Sequence, residues 1–141
     1  MDITITLNNW VIQKEAASTI REKVFILEQQ IPFEMEWDEM DQHCIHAVAV
    51  DSAGNPVGTG RLLSDGHIGR MAVIASARRA GVGGLLLSSL MQAAKNRGDK
   101  EVLLSAQTQV QGFYLHFGFR TIGEEYIEAK IKHINMKYSF E

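Results

Sequence analysis

Apolar and polar residues alternate at the start of the chain, where Ile3, Ile5 and Leu7 are interleaved with Thr4 and Thr6. A period of two belongs to a strand with one buried face, so the first element is predicted to be a β-strand. The period then lengthens. Ala17, Ile20, Val24 and Leu27 recur at intervals of three and four, which predicts an amphipathic helix from Lys14 to Glu28. Pro32 breaks that run, and an acidic stretch from Glu34 to Asp41 follows.

Three strand-like segments come next: His46 to Asp51, Val57 to Leu63 and Ile68 to Ile74. Ser52-Ala53-Gly54-Asn55-Pro56 and Ser64-Asp65-Gly66 separate them, and such turn chemistry between short apolar runs predicts antiparallel hairpins. A long helix is expected from about Gly81 to Arg97, with Val82, Leu86, Leu90, Ala93 and Ala94 on its apolar stripe and Gly98 at its stop. Consecutive Val102, Leu103 and Leu104 make Glu101 to Ala106 a buried strand. Val110 to Phe117 reads as a short helix ended by Gly118, and Phe119 to Ile122 and Ile131 to Tyr138 as closing strands. This order predicts a single domain over residues 1–141, α/β in class, with a mixed sheet flanked by helices on both faces.

The composition agrees with one domain. Hydrophobic residues make up 45% and charged residues 22% of the chain, enough for a real core and too apolar for a disordered segment. A formal charge of −3 gives no overall basic field, so neither nucleic acid nor an anionic membrane is an expected partner. No apolar run reaches the roughly 18 residues of a spanning helix. The single cysteine, Cys44, excludes an internal disulfide, and the opening residues do not read as a signal peptide. The expectation is a cytoplasmic protein. His43-Cys44-x-His46 holds metal-ligand residue types, but only Cys44 and His46 share a strand face and no second pair follows, so no metal site is expected.

Chemistry concentrates at Arg78-Arg79-Ala80-Gly81-Val82-Gly83-Gly84, between a strand and the long helix. Three closely spaced glycines each cost about 1 kcal/mol of helix propensity against alanine. Backbone amides from Ala80 to Gly84 at a helix start would cradle a pyrophosphate, with the two arginines adding positive charge. The same residues also fit a tight strand-to-helix turn with solvated arginines. A P-loop is excluded by the missing Gly-Lys-Ser/Thr ending.

Met71-Ala72-Val73 followed by Arg78-x-x-Gly81-x-Gly83 resembles the acetyl-CoA motif of the GNAT superfamily of N-acetyltransferases. Phe113-Tyr114-Leu115-His116-Phe117-Gly118-Phe119 is similar to that family's second signature, and Gln107 stands where many relatives carry asparagine. Val24-Phe25-x-x-Glu28-Gln29-x-Ile31-Pro32, Glu36-x-Asp38-x-x-Asp41, Gly58-Thr59-Gly60-Arg61 and Glu128-Ala129-Lys130-Ile131-Lys132-His133 resemble the YjcF-like subgroup, although Lys130 and Lys132 replace a frequent glycine and proline.

The resemblance implies the GNAT-like acyl-CoA N-acyltransferase fold, with a central, mostly antiparallel mixed sheet, and acetyl-CoA as co-substrate. It implies that Met71, Ala72 and Val73 pair with the pantetheine arm, that a bulge there splays two strands, and that Tyr114 is the general acid. Packed beside Phe113 and Phe117, Tyr114 also reads as a core aromatic. His133 is placed by alternation opposite Ile134, Met136 and Tyr138, where it is either a base or an ordinary strand histidine. Glu28, Glu36, Asp38 and Asp41 form a carboxylate cluster suited to a cationic amine, or equally a solvated acidic loop. The implied acceptor is a small-molecule or peptide amine, and a homodimer is common among relatives. A second reading is an acyl-CoA-binding sensor or interaction module without turnover. A third is a longer acyl donor, as in autoinducer synthases.

Overall fold

The computed structural model describes residues 2–32 and 38–140. β1 (Thr4–Asn8) leads directly into α1 (Trp10–Arg21), whose N-terminus is capped by the Asn9 side chain accepting from the Ile12 amide at 3.1 Å. The expected helix to Glu28 is divided. After Arg21 the backbone widens into a π-helical turn, Glu22–Glu28, in which the Gln29 amide reaches back to the Val24 carbonyl. The wider turn changes which residues share a face: Ile20, Val24 and Phe25 are buried, whereas Leu27, expected on the stripe, is 67% exposed.

Three antiparallel strands follow: β2 (Ile45–Val50), β3 (Pro56–Leu62) and β4 (Ile68–Val73). They pair with β1 in the order β1-β2-β3-β4. A long helix, α2 (Val82–Arg97), then β5 (Glu101–Gln107), a short α3 (Gln111–His116), β6 (Arg120–Glu128) and β7 (Ile131–Ser139) complete the chain. The last three strands form a second antiparallel unit in the order β5-β7-β6. No described helix is long and apolar enough to cross a membrane.

The mixed sheet foreseen from the element order is thus split. Its halves meet at one parallel bridge, His67 beside Leu103, where the Leu103 amide donates to the Gly66 carbonyl at 3.0 Å. Ladder pairing between β4 and β5 does not continue past that bridge. A bulge in β4 accompanies the divergence. Thr59 faces Ala72 and Arg61 faces Gly69, so Gly60 lies opposite both Arg70 and Met71, and Arg70 adopts a left-handed φ of 51°.

Alternation along β3 assigns the two faces. A Cβ on Gly58 would come within 2.9 Å of Leu86 and Val82, so this glycine lets α2 lie close against the sheet. Thr59 and Arg61 point the other way, where Arg61 meets Asp41 beneath α1. Gln13 fastens α1 to that face through hydrogen bonds to the carbonyls of Thr6 and His46. Helices therefore cover both faces, as expected. The main core joins Leu86, Leu87 and Leu90 of α2 to Ala47, Leu62, Val102 and Met136 of the strands.

β6 runs six residues beyond the expected Ile122. Gly123, at φ 74°, opens an irregular stretch between Ile122, opposite Asn135, and Tyr126, opposite His133. Polar Gly123-Glu124-Glu125 looks like the end of a strand in sequence, whereas the chain bulges there and resumes pairing.

Candidate active site

The splay between β4 and β5 opens a groove of about 630 Å³, of the size that small-molecule sites take. Met71, Ala72 and Val73 line one wall, Leu104 to Gln107 the other, and Tyr114, Glu128 and His133 also face it. Glu28 and Gln29, at the end of the π-helical turn, complete the lining. The groove thus gathers residues that lie up to 109 positions apart in the chain, from Val24 to His133.

Arg78 lines this groove but is already engaged. Its guanidinium forms a bidentate pair with Glu28, and its Nε donates to the Val73 carbonyl at 3.0 Å. Those hydrogen bonds from Arg78 hold the Glu28 carboxyl below the ordinary carboxylate range. Arg78 was expected to meet phosphate and Glu28 the amine; in the structure each neutralises the other, so either role requires this exposed pair to open. Arg79 is exposed and left-handed, with φ 68°.

Gly81 is the N-cap of α2 in the left-handed region, φ 79°, and among the described residues no side chain caps the first-turn amides. Among the described residues nothing stands within 4 Å of where its Cβ would be, so its need for glycine is conformational. An uncapped helix start with room beside it fits an anionic group. The other two glycines have a different reason. A Cβ on Gly84 would strike the Phe117 ring at 2.9 Å, and one on Gly83 would press Phe113 at 3.4 Å. They let α2 and α3 pack; ligand approach is not what demands them. Ala80 lies in the preceding turn, and Val82 is buried in the core.

Tyr114 is buried on α3, edge-on to Phe113 and Phe119. It packs in the core, as one reading of the sequence had it, and it also lines the groove. Its hydroxyl makes no hydrogen bond among the described residues, and desolvation pushes its pKa up to about 12. Gln107, at the end of β5, donates to Gln29 Oε1 at 2.9 Å and accepts from Gln109, so its amide bridges the two sides of the groove.

His133 is buried on β7. Its Nδ1 lies 2.7 Å from the Ile131 carbonyl, which can only accept, so Nδ1 carries a proton and, in the neutral imidazole, Nε2 holds the lone pair. The imidazole stacks on Tyr126 with ring centres 5.7 Å apart, and Tyr126 is itself held by hydrogen bonds with Ser105 and Asn135. Glu128 Oε2 is 3.9 Å from Nε2.

The remaining carboxylates are not brought to the groove. Asp41 is 2% exposed and accepts from Arg21 at 3.0 Å and from Arg61 at 2.8 Å. It was expected to meet a solvent-borne amine; it lies instead inside the fold, where two guanidinium groups compensate its charge. Asp38 caps the 3₁₀ turn Glu39–His43 and pairs with Arg61 and Arg70; hydrogen bonding from Arg61 lowers its pKa. Glu36 lies outside the described residues. Beside this network His46 is 1% exposed, burial lowering its pKa, and Cys44 is a buried thiol pushed up to about 11 by desolvation. Gln29, Arg61 and Glu128 stood in motifs quoted from the sequence without a role. Their signal was position in the fold, which one chain does not display.

A model of the acetyltransferase (GNAT) domain matches residues 12–140. The chain is 40% identical over 128 residues to the uncharacterized N-acetyltransferase YjcF of Bacillus subtilis, covering 88% of this chain and 91% of that protein. Among solved structures, an acyl-CoA N-acyltransferase from Pseudomonas aeruginosa superposes with a TM-score of 0.86 at 30% identity, over 98% of this chain and all of that one. Escherichia coli ElaA gives the same TM-score and identity, over 96% of this chain and 99% of its own. With a split strand pair opening a groove that Tyr114 lines, a glycine-started helix following β4, and these likenesses across nearly its whole length, the chain belongs to the GNAT acetyltransferase family.

Proposed function

We propose that this GNAT acyltransferase moves the acetyl group of acetyl-CoA directly onto a primary amine, both substrates occupying the groove together. The observation that carries the reading is the placement of Tyr114 and His133 on one groove, with the Tyr114 hydroxyl unbonded among the described residues and the His133 ring held through Nδ1. A small-molecule or peptide amine is the acceptor class. A cytoplasmic location goes with the free, buried Cys44.

Acetyl-CoA supplies an acyl group activated as a thioester. The uncapped amides from Ala80 to Gly84 would hold its pyrophosphate, aided by Arg79 and by Arg78 if Glu28 releases it. Met71, Ala72 and Val73, at the edge of the divided sheet, would pair with the pantetheine arm, and the Gln107 amide would exchange Gln29 for it. At the β4 bulge, backbone amides released from the ladder suit the oxygen that gains charge during attack.

His133 takes a proton from the incoming ammonium at Nε2, freeing the nitrogen lone pair. The C–N bond forms as the C–S bond breaks, and the second proton lost from nitrogen ends on sulfur. Tyr114 does not hand over its own proton completely. A phenol at about 12 is a weaker acid than a thiol near 8.5 by a gap worth roughly 5 kcal/mol, so Tyr114 serves as a hydrogen-bond donor to the sulfur as charge builds.

The test is thiol release from acetyl-CoA over a panel of polyamines, amino sugars, amino acids and peptides. Turnover with some member supports transfer. Silence across the panel, with coenzyme A still bound, would favour the sensor reading.

A further inference from the structure

We infer that Glu128 is the anchor for the acceptor's ammonium group, and so a determinant of which nucleophiles this site accepts; the inference deepens the transfer reading and rests on it. Two carboxylates line the groove among the described residues, Glu28 and Glu128. Glu28 already carries a bidentate Arg78 that balances its charge. Asp38 and Asp41, which sequence spacing made candidates, do not line the groove and are engaged by Arg61, Arg70 and Arg21. Among the described residues Glu128 has His133 as its one charged or titratable partner, and 60% of its side chain remains open to solvent.

The geometry fits a shared cation. Glu128 Oε2 and His133 Nε2 are 3.9 Å apart, too far to bond each other well. A nitrogen about 2.8 Å from each can sit between them, donating one hydrogen bond to the carboxylate and one to the imidazole. The proton given to Nε2 leaves a neutral amine held by Glu128, whose charge then also stabilises the new imidazolium. A hydroxyl acceptor brings no positive charge and gains little from the carboxylate, so the pair favours amines.

Both groups are held in place by local structure. Glu128 ends β6 opposite Ile131, and Ala129 and Lys130 make the connecting two-residue turn with φ of 51° and 66°. Stacking on Tyr126 and the Nδ1 hydrogen bond fix the imidazole plane. The other charged or titratable groups lining the groove are Arg61, Arg70, Arg78, His67, Glu28 and Tyr114.

The experiment titrates 1,4-diaminobutane into the CoA-bound protein and follows the ring nitrogens of His133 by NMR, in wild type, Glu128→Gln and Glu128→Asp. Wild type is expected to show a saturable shift, with the half-saturation concentration raised roughly tenfold in Glu128→Gln and less in Glu128→Asp, at unchanged thermal midpoints. Equal half-saturation in Glu128→Gln and wild type overturns the assignment, as does an unmoved His133 in wild type. Turnover is a separate readout: no thiol release, with the Glu128-dependent shift intact, removes the transfer reading and leaves the anchor standing.

Discussion

Arg78 grips Glu28 through two hydrogen bonds, Nη1 to Oε2 at 2.7 Å and Nη2 to Oε1 at 2.6 Å. The end of the π-helical turn is thereby tied to the approach to α2, and a charge that spacing alone would assign to phosphate is already compensated. Both side chains are about 40% exposed, so the pair is worth at most about 1 kcal/mol. Glu28→Gln should free Arg78 and tighten acetyl-CoA binding by roughly threefold at low salt, while Arg78→Ala weakens it by a similar factor. Calorimetry at two salt concentrations reads both, and weaker binding in Glu28→Gln would mean that the ion pair itself shapes the site.

Tyr114→Phe removes a hydroxyl without changing the ring that packs on Phe113 and Phe119. The expected loss in kcat is about a hundredfold, with acetyl-CoA affinity nearly intact. Steady-state kinetics with an accepted amine checks it, and an unaltered kcat would remove Tyr114 from the chemistry.

The same burial has a consequence at high pH. The folded pKa of Tyr114, about 12, lies above an unfolded value near 10, so the unfolded chain loses its proton first. Stability from this group is complete below pH 10 and is lost as pH rises toward 12. His46 acts at the other end, because burial lowers its pKa: the unfolded chain gains a proton first, and stability falls as pH drops below about 6.5. Urea midpoints across pH should fall at both ends, the acid loss shrinking in His46→Gln.

Asp41→Ala should cost about 3–5 kcal/mol, because it leaves Arg21 and Arg61 buried without their shared carboxylate. Chemical denaturation measures it. A stable variant with a raised KM for the amine would return Asp41 to the substrate-binding role read from the sequence.

Gly84→Ala should destabilise by about 1–3 kcal/mol through the Phe117 ring, and Gly81→Ala by about 1–2 kcal/mol through its left-handed backbone. Lys130→Gly should do the reverse and raise stability by up to about 1 kcal/mol, since Lys130 holds φ 66°. Melting temperatures of the three variants give the ranking.

Much of this architecture was legible in the chain because local period and turn chemistry agree with it. The strands from Ile68 and Glu101, and the stripe Val82, Leu86, Leu90 and Ala94 on α2, stand where apolar spacing put them. Leu27 escaped because a π-helical turn leaves no separate mark in a pattern of period 3.6, and β6 because bulged polar residues look like a strand end. The groove was legible as motifs, Met71 to Val73 and Tyr114, but not as charges. Whether Glu28, Asp38 or Asp41 is free depends on arginines up to 50 residues away, and Glu128 earned its place only when the β6–β7 turn set it beside His133.

The proposed transfer requires the groove and the start of α2 to take a coenzyme A thioester. Isothermal titration of acetyl-CoA into the folded protein at neutral pH tests this most directly. One site per chain is predicted, with affinity reduced in Gly81→Ala and falling as salt increases; heats no larger than dilution, from a protein that still melts cooperatively, would contradict it.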